Sequence, residues 1–292
     1  MNVVIIGGAG VMGSFFAELF RIRNYRVVIS DIDKKKCRGV AERLKIECST
    51  SINDNTIRDA DIVLLSTPIR ETPNVITSVV DYMKSGSLLM EMSSVKTPIK
   101  HALSHKSHNI HNIDIIGIHP MFCPPTKLDG QSIIIIPIKG NRWLPEIKKF
   151  FQSFGLNIHE TTVERHDEIM SIIQVLIHTS FIGIASTIEE LNVNINDLRP
   201  FMGKFHKTVF DFISRVTTQN HEMYASIQIE NPNSSSVCNI LSKNIVYLRD
   251  IINRKDYDEL IKKLKGIENV FPDRELSIIR SNKLIDLYTE DL

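Results

Sequence analysis

One stretch near the start limits what this chain can fold into: Val3-Val4-Ile5-Ile6-Gly7-Gly8-Ala9-Gly10-Val11-Met12-Gly13. Its β-branched run reads as a buried strand. The run empties directly into Gly8-x-Gly10-x-x-Gly13, and Phe15, Phe16, Leu19 and Phe20 follow at helical spacing. A glycine turn between a strand and a helix suits the pyrophosphate of a dinucleotide. In this reading Gly8 permits the tight turn. Gly10 lets a pyrophosphate approach the backbone, and Gly13 lets helix and strand pack closely. Val11 and Met12 open the helix, whose N-terminal N–H groups and positive dipole end suit phosphates. Glycines at this spacing also serve plain tight turns. The other half of the fingerprint is present, however: Val27-Val28-Ile29-Ser30-Asp31 reads as a strand ending in an acid. Such an acid suits the ribose hydroxyls of NAD. It disfavours a 2′-phosphate, while the nearby cations Lys34, Lys35 and Lys36 leave NADP open.

Strand and helix patterns alternate through the first half. Asp61 to Pro68 is a strand closed by a turn, and Ser66, Thr67 and Pro68 at its end are candidate cofactor contacts. Leu88 to Lys96, Ile113 to Ile118 and Ser132 to Pro137 are further strands, with helical patterns near 71–83 and 143–153. This alternation implies a doubly wound, mainly parallel sheet. Ligands in such sheets sit beyond the carboxyl ends of the strands. Three of those ends carry polar residues, Ser66-Thr67, Ser93-Ser94 and His119, and topology places them near one cleft. Beyond about 162 the apolar period becomes helical throughout. The expectation is a dinucleotide-binding α/β domain over 1–162 and an all-helical domain over 163–292.

With 292 residues, 42% hydrophobic and 24% charged, the chain has enough apolar residues for two cores. A net charge of +1 gives no field that favours nucleic acid or an anionic membrane. The expectations are a cytoplasmic protein without a signal peptide and without an apolar run of the roughly 20 residues that span a bilayer. Cys37, Cys48, Cys123 and Cys238 are scattered, and reduced thiols are the simplest reading. His101, His105, His108 and His111 cluster without an accompanying cysteine or carboxylate pattern, so no metal site is expected.

Individual residues carry chemical readings beside plainer ones. His119, between Gly117-Ile118 and Pro120, suits a general base or a loop hydrogen bond. Ser94 suits a shared hydrogen bond to a substrate hydroxyl, or a helix cap. Asp167, Ser171, Gln174 and His178 fall on one narrow polar stripe of an apolar helix. That stripe fits a wetted cleft, a subunit interface or satisfied core groups. Arg215, inside Phe212-Ile213-Ser214-Arg215-Val216, suits a carboxylate ligand or a surface ion pair.

These segments together resemble the prephenate dehydrogenases of tyrosine biosynthesis over about residues 1–252. Gly117-Ile118-His119-Pro120-Met121-Phe122-Cys123-Pro124 is similar to the family's GxHPMFGP. Ser93-Ser94-Val95-Lys96 is similar to its serine-valine-lysine segment, and His166-Asp167 through Gln174 and His178 to its HD…QxLxH helix. Ser214-Arg215-Val216, Met223-Tyr224 and Glu230-Asn231-Pro232 are similar to its arginine region. The resemblance implies a Rossmann domain followed by a helical substrate-binding and dimerisation domain, and a homodimer. It implies NAD-dependent oxidative decarboxylation of prephenate, with arogenate as the alternative substrate. His119 is then the base, Ser94 its partner, and Arg215 the ligand of the ring carboxylate. His178, Gln174 and Lys96 are further substrate contacts. Two departures stand out: Cys123 replaces a glycine, and Val175 stands where some members have a second histidine. A reductase of the β-hydroxyacid type and a non-catalytic nicotinamide sensor are the rival readings.

Overall fold

A computed structural model describes residues 1–49, 54–106, 112–124 and 127–288. Eight strands form one sheet: β1 (Asn2–Ile6), β2 (Arg26–Ser30), β3 (Glu47–Ser49), β4 (Ile62–Leu65), β5 (Leu88–Glu91), β6 (Asp114–Pro120), β7 (Ser132–Lys139) and β8 (Asn157–Glu160). Between and after them run α1 (Val11–Ile22), α2 (Lys34–Leu44), α3 (Asp54–Arg58), α4 (Thr72–Val79), α5 (Thr97–Ser104), α6 (Leu144–Gln152) and α7 (Val163–Met170). The strand order is β3-β2-β1-β4-β5-β6-β7-β8. Every neighbouring pair is parallel except β6 with β7. This is the doubly wound, mainly parallel sheet that the alternating patterns predict.

Alternation along each strand builds two cores, one on each face. Val3, Ile5, Val27, Ile29, Leu64, Met90, Ile118 and Ile135 turn to one side and meet Phe16, Phe20, Phe150 and Phe151 of α1 and α6. Val4, Ile6, Val63, Leu65, Leu89 and Ile115 turn to the other and meet Ile57, Ile76, Val79, Ile99 and Leu103 of α3, α4 and α5. A strand buried on both faces reads as a continuous apolar run, which is why the central strands are visible in the sequence. The order also sets the carboxyl ends of β1, β4, β5 and β6 side by side, with Ile6 opposite Leu65 and Leu65 opposite Glu91.

Cys37 and Cys48 form a disulfide, with Cα atoms 6.0 Å apart. This corrects the expectation of reduced thiols for that pair. Cys37 is buried on α2, and the chain turns back so that β3 brings Cys48 against it. Cys123 and Cys238 are free.

The chain divides into two compact units, Met1–Met170 with Ile229–Pro232 and Ser171–Gln228 with Asn233–Leu292. Packing thus puts the break after Met170, beyond the expected boundary at 162. The reason is α7: its Asp167 bonds the start of α5, and Asn231 donates to the Asp167 carbonyl at 2.9 Å.

Among the described residues the second unit is helical throughout. A π-helical turn, Ser171–Leu176, opens it. There follow α8 (Ile177–Glu190), α9 (Ile195–Leu198), α10 (Lys204–Thr218), α11 (His221–Glu230, its last two residues in the first unit), α12 (Ser234–Arg254), α13 (Tyr257–Ile267) and α14 (Arg274–Asp286). Val175, Ile213, Val216, Ile227 and Ile251 are buried, but Ile172, Ile177, Phe205, Phe212, Ile240 and Ile245 are more than two-fifths exposed. Val163–Glu190 also holds an 18-residue window of mean hydropathy 1.7, of which 17% is buried. By length and composition alone that run is apolar enough to cross a membrane, contrary to the sequence expectation.

Candidate active site

The turn after β1 is carried by Gly7, whose φ is +76°. Gly8, to which the sequence assigned the turn, has a different reason to be glycine: a Cβ there would stand 2.6 Å from the Ile29 Cβ. Gly7 and Gly8 donate their N–H groups to the Ser30 carbonyl at 2.8 and 3.0 Å, tying the loop to β2. A Cβ on Gly13 would lie 2.3 Å from the Gly7 carbonyl oxygen, so close helix packing requires that glycine. A Cβ on Gly10 would meet only the Gly7 oxygen, at 3.3 Å. The space beyond Gly10 is therefore open to a ligand. Gly10 precedes α1, whose first turn includes Val11, Met12 and Gly13. N–H groups in a first turn have no acceptor within their own helix. The Asp31 carboxylate accepts from the Ala9 N–H at 3.0 Å and from the Asp33 N–H at 3.0 Å. Glycine cradle, helix start and acid together fit a dinucleotide.

Ser66 follows β4 and donates its N–H to Ile6 at 2.8 Å. The Thr67 hydroxyl shares a 2.8 Å hydrogen bond with the Thr72 hydroxyl, and the Pro68 carbonyl accepts from the Thr72 N–H at 3.0 Å. These residues thus form a braced corner between β4 and α4. Ser94 is half-buried in the segment after β5, the strand beside β6.

His119 lies within β6, opposite Ile134 of β7, and is only 4% exposed. Its Nδ1 is 2.9 Å from Nε2 of His166, and His166 Nδ1 is 2.7 Å from the Asp167 carboxylate. That carboxylate also accepts from the Lys96 N–H at 2.9 Å, the Thr97 N–H at 2.8 Å and the Thr97 hydroxyl at 2.7 Å. Burial by itself raises the Asp167 pKa, but these hydrogen bonds outweigh it and hold the group below the ordinary value. Burial pushes His119 well below the ordinary histidine value, helped by His166 and the Lys96 charge. His119 is therefore neutral at neutral pH. Burial lowers His166 too.

Lys96 is fully buried. Its Nζ donates to Glu91 at 2.6 Å and to the Ile118 carbonyl at 2.8 Å. The side chain turns inward to hold the end of β6, so it does not present its charge to a ligand as the resemblance implied. A Cβ on Gly117 would lie 2.5 Å from the Glu91 carboxylate, so glycine makes room for this pair beside His119. Sequence reading missed Glu91 as a site residue. Its signal is an acid within the apolar strand Leu88-Leu89-Met90-Glu91, which needs a buried partner.

Gln174, His178 and Arg215 belong to the second unit. His178 is half-buried on α8, its ring edge-on to Tyr224 with centroids 4.9 Å apart. Its Nδ1 has no hydrogen-bond partner among the described residues, and burial lowers its pKa. Gln174 lies in the π-helical turn. Arg215 is exposed on α10 and has no ion-pair partner among the described residues, although a surface ion pair was one of its two readings. Val175 is fully buried. Of the four clustered histidines, His101 and His105 end α5, while His108 and His111 lie outside the described residues. No group of three or more potential metal ligands occurs among the described residues.

Comparison with known proteins adds to this geometry. The nucleotide-binding domain of prephenate dehydrogenase matches residues 16–160, and its dimerization domain matches residues 162–266. The chain belongs to the prephenate dehydrogenase family. The family match begins after the glycine loop, so that loop stands on its own geometry. A probable arogenate/prephenate dehydrogenase of Methanocaldococcus jannaschii is 30% identical over 269 residues, 91% of this chain. The match spans 60% of that protein's length. The 4-amino-4-deoxyprephenate dehydrogenase of Streptomyces pristinaespiralis is 22% identical over 90% of each chain. Among solved structures, the prephenate dehydrogenase from A. aeolicus in complex with hydroxyphenyl propionate and NAD+ superimposes with a TM-score of 0.76. It is 21% identical and covers 95% of this chain and 98% of its own, which is a likeness of fold. Family members thus share a dehydrogenase scaffold while their names differ in substrate.

Proposed function

We propose that this member of the family is an NAD-dependent prephenate dehydrogenase, forming 4-hydroxyphenylpyruvate and CO2. The observation that carries the reading is His119. It is a buried imidazole kept neutral at neutral pH, on the strand β6 of the sheet that bears the glycine cradle. NAD, when bound, supplies the hydride acceptor. Gly10 and the start of α1 hold its pyrophosphate, with Ser66, Thr67 and Pro68 beside it. Asp31 takes the ribose hydroxyls, which favours NAD over NADP.

His119 takes the proton of the ring hydroxyl as the hydride leaves the carbon that bears it. Ser94 hydrogen-bonds the same hydroxyl. Loss of the ring carboxylate as CO2 leaves its bonding pair in the ring. The ring becomes aromatic, and the oxygen takes a proton back. Arg215 holds the ring carboxylate, and its exposed guanidinium, without an ion-pair partner among the described residues, supports that role. His178 and Gln174 contact the substrate side chain. Two copies of the chain associate through the helical unit, whose exposed apolar side chains support a homodimer. A cytoplasmic setting goes with this reaction. The Cys37–Cys48 bond is the observation set against it, and alkylation of protein taken rapidly from cells decides whether that bond exists there.

The test is NADH formation by the purified protein, with prephenate or arogenate and with NAD or NADP. Turnover of prephenate with NAD is expected. His119→Asn keeps nucleotide binding and loses about 10²–10⁴-fold in turnover, the usual contribution of a positioned base. Inactivity toward both substrates overturns the reading, and a preference for arogenate moves the substrate. The Streptomyces relative's name gives the third substrate to try, the 4-amino analogue.

A further inference from the structure

We infer that His166 and Asp167 are positioning residues that fix which nitrogen of His119 is basic. The inference rests on His119 acting as the base. It follows from the chain of contacts Asp167–His166–His119, at 2.7 and 2.9 Å. The Asp167 carboxylate already accepts two backbone N–H groups and one hydroxyl at the start of α5. An ionised carboxylate only accepts, so His166 Nδ1 carries a hydrogen and donates it. A neutral imidazole has one such hydrogen. His166 Nε2 therefore accepts, and the facing His119 Nδ1 must donate. The lone pair of His119 is left on Nε2, the nitrogen that takes the substrate proton.

The arrangement works only while His166 is neutral. A doubly protonated His166 would donate from Nε2 and put the hydrogen of His119 on the wrong nitrogen. Both imidazoles are buried; burial and the Lys96 ammonium, which is turned onto Glu91, disfavour a charge on His166 and outweigh the adjacent Asp167 carboxylate that favours it. The other titratable groups of α7 point outward: Glu164 pairs with Lys100, and Arg165 with Glu168. On the β7 side, His119 faces Ile134 and its neighbours Ile133 and Ile135, which carry no charge. Asp167 also fixes the segment that carries Ser94, because it accepts from Lys96 at that segment's end. One carboxylate thus sets both the tautomer of the base and the backbone of its partner.

The sequence shows Asp167 on a polar stripe and the pair as part of a helical motif, without a role for either. Their effect depends on a contact between residues 47 positions apart.

The decisive measurement is nitrogen NMR of protein labelled at its histidine rings, with no ligand present. His119 is expected to be protonated on Nδ1 and unprotonated on Nε2 at neutral pH. In Asp167→Asn the amide keeps an oxygen for the α5 start and presents NH2 to His166. The relay then reverses, His119 gains its hydrogen on Nε2, and turnover falls by about 10²–10⁴-fold with nucleotide affinity unchanged. His166→Phe preserves the contacts of Asp167 with α5, so it covers the case in which Asp167→Asn fails to fold. It is expected to leave His119 as a mixture of tautomers with reduced turnover. A wild-type His119 protonated on Nε2 overturns the inference. So do variants that leave both tautomer and turnover unchanged. If the protein oxidises neither prephenate nor arogenate, the proposed reaction fails while the NMR result still reports on the relay.

Discussion

A lysine with no solvent exposure is an expensive residue to keep, and Lys96 has none. Burial lowers its pKa and raises that of Glu91, so their 2.6 Å contact is what makes two charges tenable there. Lys96→Met leaves Glu91 buried without its partner. It is expected to lower stability by about 3–5 kcal/mol in urea denaturation. Pairing it with Glu91→Gln should restore much of that loss. A stable Lys96→Met protein with only a raised KM would return the residue to the substrate site. The histidines make a second prediction. The unfolded imidazole titrates near 6.5, and folding lowers the values of His119 and His166. Below that pH the unfolded chain binds protons that the folded one refuses, so stability is full above 6.5 and falls on acidification. Each such histidine costs about 1.4 kcal/mol per pH unit until its folded value is reached. Comparing urea midpoints at neutral and mildly acidic pH checks this, and a flat profile refutes buried neutral histidines. In the sequence His119 is legible as a polar residue at the end of an apolar run. Lys96 was misjudged because a motif conveys which residue is present but not which way its side chain turns.

Elements were legible in proportion to how much they bury by themselves. The runs in β1, β4 and β5 and the aromatic face of α1 announce themselves. β3 and β8 do not, because Glu47-Cys48-Ser49 and Asn157-Ile158-His159-Glu160 have little apolar pattern. These are the two edges of the sheet, recruited by β2 and β7 rather than by their own burial. The π-helical turn Ser171–Leu176 was invisible for another reason. A stripe drawn at strict α-helical spacing through Asp167, Ser171, Gln174 and His178 cannot register the extra residue in a π turn. The paired α1 and α6 carry the densest aromatic packing: Phe150 stacks on Phe20 with centroids 4.6 Å apart, and Phe151 meets Phe16 edge-on at 6.1 Å. Phe151 is fully buried between helix and sheet. Phe151→Ala is expected to cost about 3–5 kcal/mol, read as a shift of the urea midpoint, with NAD affinity retained in the protein that remains folded. A loss under 1 kcal/mol, on the order of a surface change, would show this cluster to be loosely packed.

At the scale of the molecule, the first unit holds most of the buried core while the second leaves much apolar surface uncovered in a single chain. Composition showed that there was enough apolar material for two domains, but not where it would be buried. If the helical unit is completed by a second copy, folding is linked to association. The midpoint of thermal unfolding then rises with protein concentration, and light scattering gives twice the mass of one chain. A monomer with a concentration-independent midpoint refutes the dimer. The position of β6 has a consequence of its own. The strand pairs in parallel with β5 only as far as Gly117, while its antiparallel pairing with β7 continues through His119 and Pro120, so the backbone of His119 is held in the sheet from the β7 side. Its amide is therefore expected to exchange with solvent once β6 and β7 part, an opening smaller than loss of the whole sheet. The base can thus be loosened while the parallel strands stay joined, and heat inactivation is expected to run ahead of the unfolding of the sheet itself.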